Sequence, residues 1–302
     1  MSPSHDRLSS PLLPLAQENR ACAANSFRST VLTTTLVRHG PPSKGPSAPI
    51  IETLGAQRRS PSSQAPRSTI PLDELTAYLF GMDRSQLASE LGTWLAASSR
   101  FRAFAETYRD KIRKKARGSR DDEGRRDLAF ELSIAMRLLE ERRFALEYES
   151  YGVGQRAPDF RVTFRSQVHF NVEVRRLRPA PTPDAPADPG RLIRAVCDKL
   201  GQLPPSMINV LVLGADAPSS AAEAVAPAMI WLQDRAARKD EALFQQRGFT
   251  GVRDFLRHYQ RLSAALWLAG EPAAAPSSLW RNPRARHPLP ADLARALTKS
   301  AP

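Results

Sequence analysis

Residues 158–175 read Pro158-Asp159-Phe160-Arg161-Val162-Thr163-Phe164-Arg165-Ser166-Gln167-Val168-His169-Phe170-Asn171-Val172-Glu173-Val174-Arg175. Before the turn, Phe160, Val162 and Phe164 alternate with Asp159, Arg161 and Thr163. After it, Val168, Phe170, Val172 and Val174 alternate with His169, Asn171, Glu173 and Arg175. A period of two puts each set on one side of an extended chain, so the stretch is a pair of strands with one buried face and one polar row. Register decides what the polar row means. A three-residue loop at Arg165–Gln167 pairs Phe160 with Val172 and places Asp159 opposite Glu173, with β-carbons about 4.5–5.5 Å apart. Two such carboxylates repel and call for compensation, commonly a divalent cation. A slip of two residues keeps the apolar faces together but pairs Asp159 with Arg175 and Arg161 with Glu173, as two ordinary ion pairs. Alternation alone allows both registers.

Working outward, residues 123–142 carry Leu128, Leu132, Ala135 and Leu139 at helical spacing. Glu131 sits on the flank of that stripe, where an acid needs a partner. Phe144–Ser150 reads as a further strand. A Pro- and Ala-rich connector at 179–189 leads to a helix at about 190–203, and Ile208–Gly214 is an apolar, β-branched run typical of a buried strand. Helices at about 219–238 and around Phe255, and a strand near 262–269, follow. From residue 123 the order is α-β-β-β-α-β, then helix and strand.

On the amino-terminal side the spacing of Leu72, Leu75 and Leu79 predicts a helix, with Ser68 or Thr69 as cap and Pro71 in the first turn. A second helix spans about 84–97. A third runs from Arg100 through Ile112 and becomes strongly basic. Residues 69–117 thus form a helical basic region before an α/β domain at 118–302. Residues 1–68 hold eight basic and three acidic side chains among Ser, Pro and Thr, without apolar period, and read as a disordered tail.

Composition narrows the classes. The 302 residues are 41% hydrophobic and 25% charged, which suits a globular chain rather than a wholly disordered one. No apolar run is long enough to span a bilayer. With two cysteines, Cys22 and Cys197, neither a disulfide framework nor a cysteine zinc site is available. No charged start followed by an apolar core marks a secretory signal, and a cytoplasmic location is expected. Forty-four basic against 31 acidic side chains leave a formal charge of +13, suited to an anionic partner, although an arginine-rich coding bias gives the same balance. Gly152 and Gly154 precede no helix, so no nucleotide-binding glycine loop is present.

Glu131 on a helix, Pro158-Asp159 at the start of a strand and Glu173-Val174-Arg175 on the next resemble the PD-(D/E)XK nuclease superfamily, whose core has the order α-β-β-β-α-β. The resemblance covers about residues 123–214 and implies a restriction endonuclease-like α/β fold with a mixed sheet. It also implies Mg²⁺ held by Asp159 and Glu173, Glu131 assisting, and hydrolysis of DNA phosphodiester bonds. The family's lysine position holds Arg175. Its guanidinium can supply charge and hydrogen bonds but cannot accept a proton. Three outcomes stay open: Arg175 stabilises the transition state, Arg176 or a lysine from elsewhere fills in, or catalysis is lost and binding kept. Arg113, Lys114 and Lys115, with Arg176 and Arg178, are the expected contacts to the nucleic-acid backbone. The competing classes are a non-catalytic module binding nucleic acid or a protein partner, and a scaffold whose charge is compositional. His169 reads as a surface histidine, with contact to metal or substrate as its alternative, Cys197 as core, and the basic stretch Trp280–Pro288 as a loop latching the carboxyl terminus, with contact to phosphates as its alternative.

Overall fold

A computed structural model describes residues 70–81, 85–119, 121–149, 158–178, 189–215, 221–269 and 277–299. The expected tail at 1–68, the glycines at 152 and 154 and most of the connector after residue 178 lie outside them. In chain order the elements are α1 (Leu72–Phe80), α2 (Gln86–Ala97), α3 (Ser99–Thr107), α4 (Arg109–Gly118), α5 (Asp122–Glu140), β1 (Phe144–Tyr148), β2 (Phe160–Phe164), β3 (Val168–Arg176) and α6 (Pro189–Leu200). They continue with β4 (Ile208–Ala215), α7 (Ala221–Ala237), α8 (Glu241–Gln246), α9 (Val252–Tyr259), β5 (Ala264–Ala269), β6 (Ser277–Arg281) and α10 (Ala291–Thr298).

Local chemistry explains the helix boundaries. Side chains of Ser85, Ser98 and Asp121 accept hydrogen bonds from Ala88, Phe101 and Gly124 N–H and cap α2, α3 and α5. Pro71 is extended and is itself the cap position of α1, outside the first turn. The expected single helix through Ile112 divides at Tyr108, which leaves helical geometry between α3 and α4.

The six strands form one sheet in the order β1-β2-β3-β4-β5-β6. β1–β2, β2–β3 and β5–β6 are antiparallel; β3–β4 and β4–β5 are parallel. The β2–β3 register pairs Phe160 with Val172, Val162 with Phe170 and Phe164 with Val168. This is the first of the two registers the sequence allowed. Arg161 therefore faces Asn171, not Glu173, and the next position along sets Asp159 at the level of Glu173.

Helices cover both faces. On one, Phe160, Val162, Phe170, Val172, Val210 and Val212 share a core with α5, α10 and the apolar sides of α1 to α4. On the other, Leu211, Leu213, Ala265 and Trp267 pack against α6, α7 and α9. β4 is buried from both sides, which accounts for its unbroken apolar sequence. Tyr148 and Phe160 stack at 5.4 Å between ring centroids and Phe104 of α3 lies 5.8 Å from Tyr148, joining the amino-terminal helices to the strands that carry the acids. Removing a ring of this kind, as in Phe160→Ala, costs about 3–5 kcal/mol.

Two elements were not legible as such. Ser277–Arg281 forms the edge strand β6, although its final residues read as part of a loop, and α8 was not anticipated. No helix among the described residues is long and apolar enough to cross a membrane.

Candidate functional site: a buried acid–lysine cluster

Three carboxylates from separate parts of the chain lie near enough to feel one another's charge. Asp159 stands just before β2, where pairing with β3 ends. Its Oδ2 accepts the Val174 N–H at 2.7 Å, a group of β3 beyond the last paired residue of β2. The Glu173 carboxylate in turn accepts a hydrogen bond from the Asp159 backbone. These reciprocal bonds fix both acids at the strand end. Glu131 approaches from α5, on the flank of its apolar stripe.

The acids sense one another. Burial, and next the charge of Glu173, pushes Asp159 up to about 6. Burial, and next the charge of Asp159, pushes Glu131 up to about 7. Burial also raises Glu173, opposed chiefly by Lys199. Desolvation and like charge act together, the combination that marks acids concentrated at working sites.

Two lysines balance part of this charge. Lys199, near the end of α6, is ion-paired with Glu173 Oε1. Lys115 of α4 lies 2.6 Å from Glu131 Oε1 and 2.8 Å from Glu149 Oε1, with its ammonium 4.9 Å from the Tyr148 ring centre. Burial works against the Lys115 charge, but Glu131 and then Glu149 outweigh it and its pKa is raised. Lys111 donates to the Tyr148 and Glu149 carbonyls at 2.8 and 2.9 Å and pins α4 to the end of β1. Burial and then Glu131 raise the Tyr148 phenol, so it stays protonated. With all groups charged, four carboxylates face three ammonium groups, Lys111 included, and leave an excess of one negative charge.

Asp159 and Glu173 are hard oxygen donors of the kind Mg²⁺ takes, usually by one or two carboxylates with water and phosphate completing the shell. The excess charge and the mutual repulsion fit such an ion. Among the described residues no three His, Cys, Asp or Glu side chains form a ready metal cage.

The other expected contacts are distributed differently. Arg175 is exposed and makes no ion pair among the described residues. Arg176 points to the opposite side of β3, is 4% exposed, and is ion-paired with Glu123 and, at 2.8 Å, with Asp127. Arg178 shares Asp127 at 2.8 Å. Arg113 lies over the Tyr78 ring at 4.4 Å from its centre, and Lys114 is exposed. Thus Lys115 belongs to the acid cluster, Arg176 is a buried clamp between β3 and α5, and Lys114 faces solvent. His169 is exposed and bonds Thr163 through Nδ1 at 2.9 Å. Cys197 is buried and its thiol is pushed up to about 12, which removes it as a nucleophile.

Sequence reasoning missed the roles of Lys199, Tyr148 and Glu149. Lys199 carried one signal: it sits three residues after Val196 and beside Leu200, on the margin of the α6 apolar face, where a lysine needs an acid across the interface.

No protein-family model, no curated protein and no solved structure matches the chain. Fold and site together define an α/β protein with a six-stranded mixed sheet and a buried acid–lysine cluster at one strand end.

Proposed function

We propose that the protein is a Mg²⁺-dependent nuclease of the PD-(D/E)XK type that hydrolyses DNA phosphodiester bonds. The observation that carries this reading is the β2–β3 register, which sets Asp159 beside Glu173 instead of beside Arg175. The run α5-β1-β2-β3-α6-β4 supports it, since it repeats the order that the sequence resemblance implies.

In this reading Asp159 and Glu173 would hold the cation. The bound ion supplies a water of lowered pKa and neutralises charge growing on the phosphate. Glu131, with its carboxyl near 7, is suited to orient a water and exchange a proton with it at neutral pH. Lys199 holds Glu173 in place and brings a positive charge to the site, the part the sequence leaves open between Arg175, Arg176 and a lysine from elsewhere. Lys115 keeps Glu131 turned toward the cluster.

Nicking of supercoiled plasmid tests the proposal. Activity with Mg²⁺ that is lost with EDTA and in Asp159→Ala and Glu173→Ala is expected. Equal activity in those variants overturns the site.

One observation favours a second reading. Glu131 and Glu173 are each already ion-paired with a lysine, so the cluster can stand without a cation. A non-catalytic nucleic-acid-binding module would then remain. Binding without turnover under any divalent metal identifies it.

A further inference from the structure

Six arginines, Arg253, Arg257, Arg261, Arg281, Arg284 and Arg286, and one acid, Asp254, fall in residues 251–269 and 277–290. The structure brings these two stretches together. Asn282, 4% exposed, donates through Nδ2 to the carbonyls of Tyr259 at 3.0 Å and Leu262 at 2.8 Å, just beyond α9. Its Oδ1 accepts the Arg284 N–H at 2.9 Å. The Arg286 N–H donates to Gln260 at 2.8 Å, and Ser263 Oγ to the His287 carbonyl at 2.6 Å. A loop without regular structure is therefore fastened by its backbone, by Asn282 and by Arg281, whose side chain donates to the Leu289 carbonyl at 2.8 Å, while the side chains of Arg284 and Arg286 take no part in the fastening.

Those side chains face outward. Arg253, Arg257, Arg284 and Arg286 are exposed. Among the described residues only Arg257 of these four has an ion pair, a loose one at 3.8 Å to Asp254. Cations at the end of α9 gain a little from its carboxyl-terminal dipole, but Arg284 and Arg286 have no acid that accounts for them. A rigid platform of unpaired guanidinium groups binds anions at low cost in ordering, and its planar forks match phosphate.

We infer that the 282–287 loop and the adjoining end of α9 form a contact surface for the phosphate backbone of double-stranded nucleic acid, separate from the acid cluster. Three features select this partner. Among the described residues the only exposed large apolar side chain is Ile230, on α7, so the surface lacks the apolar anchor a membrane-binding face inserts. It also lacks the exposed aromatic rings on which single strands stack. The charge is arginine throughout, as backbone recognition favours.

The inference does not rest on catalysis, so the test is done in EDTA. Binding of a fluorescein-labelled 20-base-pair duplex of random sequence to the full chain is followed by anisotropy at several salt concentrations. R284E/R286E is expected to weaken binding by at least about tenfold and to reduce the slope of log affinity against log salt by about two, one per lost phosphate contact. R284K/R286K keeps the slope. Because the latch is made by backbone, Asn282 and Arg281 and not by the side chains replaced, the thermal melt of both variants stays at the parental value. Unchanged affinity and slope in R284E/R286E overturn the inference. So does unchanged duplex affinity accompanied by lost attachment to phosphatidylserine vesicles, which assigns the surface to a membrane.

Discussion

Lys199 and Glu173 are joined across the interface between α6 and β3 by an ion pair in which the carboxylate side chain is 3% and the lysine side chain 16% exposed. Removing one partner of such a pair leaves a buried charge, which costs about 3–5 kcal/mol. Lys199→Ala is expected to lower stability toward that range, and Glu173→Gln in the same chain to recover a large part of it. Urea unfolding of the two single variants and the double variant measures the coupling. If Lys199→Ala alone is neutral, the pair is not the support of Glu173 argued above.

The raised carboxyls predict an unusual pH dependence. Asp159 near 6 and Glu131 near 7 keep a proton in the native state where the unfolded chain has lost it, above about 4. The native state then binds more protons than the unfolded one, so unfolding free energy falls as pH rises from about 4 to 7. Glu141 acts oppositely: hydrogen bonds from Arg143 hold it near 2, and its contribution is lost as pH falls below about 4.5. A stability maximum at about pH 4 follows, measured by urea melts across pH 3–8. In Glu131→Gln the decline toward pH 7 becomes shallower.

A cation that binds the ionised cluster reverses that decline. At pH 7.5, Mg²⁺ at a hundred times its dissociation constant raises unfolding free energy by about 2.7 kcal/mol. The expected result is a higher melting temperature for the parent with Mg²⁺ and none for Asp159→Asn/Glu173→Gln. This readout does not depend on turnover, so it separates a metal site that has lost catalysis from a cluster neutralised by Lys115 and Lys199 alone.

Arg176 separates structural from binding arginines. Its side chain is 1% exposed and spans Glu123 and Asp127 of α5. Arg176→Met removes the buried cation between the two acids but leaves Asp127 paired with Arg178 and Glu123 with Arg126, with an expected loss of about 1–2 kcal/mol, less than for a fully buried pair. Duplex affinity per folded molecule stays at the parental value, since the guanidinium does not face solvent. A large fall in affinity with an unchanged melt would return Arg176 to the nucleic-acid contacts.

Which parts were legible follows from which forces are local. Alternation of apolar and polar residues from Phe160 to Val174 fixed the strands, although β3 is buried on both faces there and Asn171 and Glu173 of the expected polar row are buried too, and the stripe Leu128-Leu132-Leu139 fixed α5 by its helical period. Register was visible as a choice, and the structure resolves it at the Arg165–Gln167 turn. Lys199 could not be assigned from sequence, because the approach of α6 to Glu173 depends on the packing of Leu192, Val196 and Leu200 against Leu211 and Leu213. Arg176 is buried for a simpler reason. It lies one residue past Arg175 on a strand, so its side chain leaves by the other face, toward α5.

That turn offers the last prediction. Arg165 and Ser166 have φ of 51° and 59°, the left-handed region, and the Gln167 N–H bonds the Phe164 carbonyl at 3.1 Å. A non-glycine residue there is strained by roughly 1 kcal/mol, while glycine fits without clash and is the preferred second residue of a tight hairpin turn with both φ positive. The Arg165 side chain has an ion pair at 3.3 Å to Asp292 and lies 4.9 Å from the Phe164 ring centre, so replacing it would confuse the test. Ser166 is exposed and is the better position. Ser166→Gly is expected to raise stability by about 0.5 kcal/mol, after the larger chain entropy of glycine in the unfolded state is subtracted. It should leave the Mg²⁺-dependent rise in melting temperature unchanged, because the register and hence the Asp159–Glu173 juxtaposition are retained. Loss of that rise in Ser166→Gly would mean that the turn alone, rather than the apolar face of Phe160 to Val174, holds the strands in register.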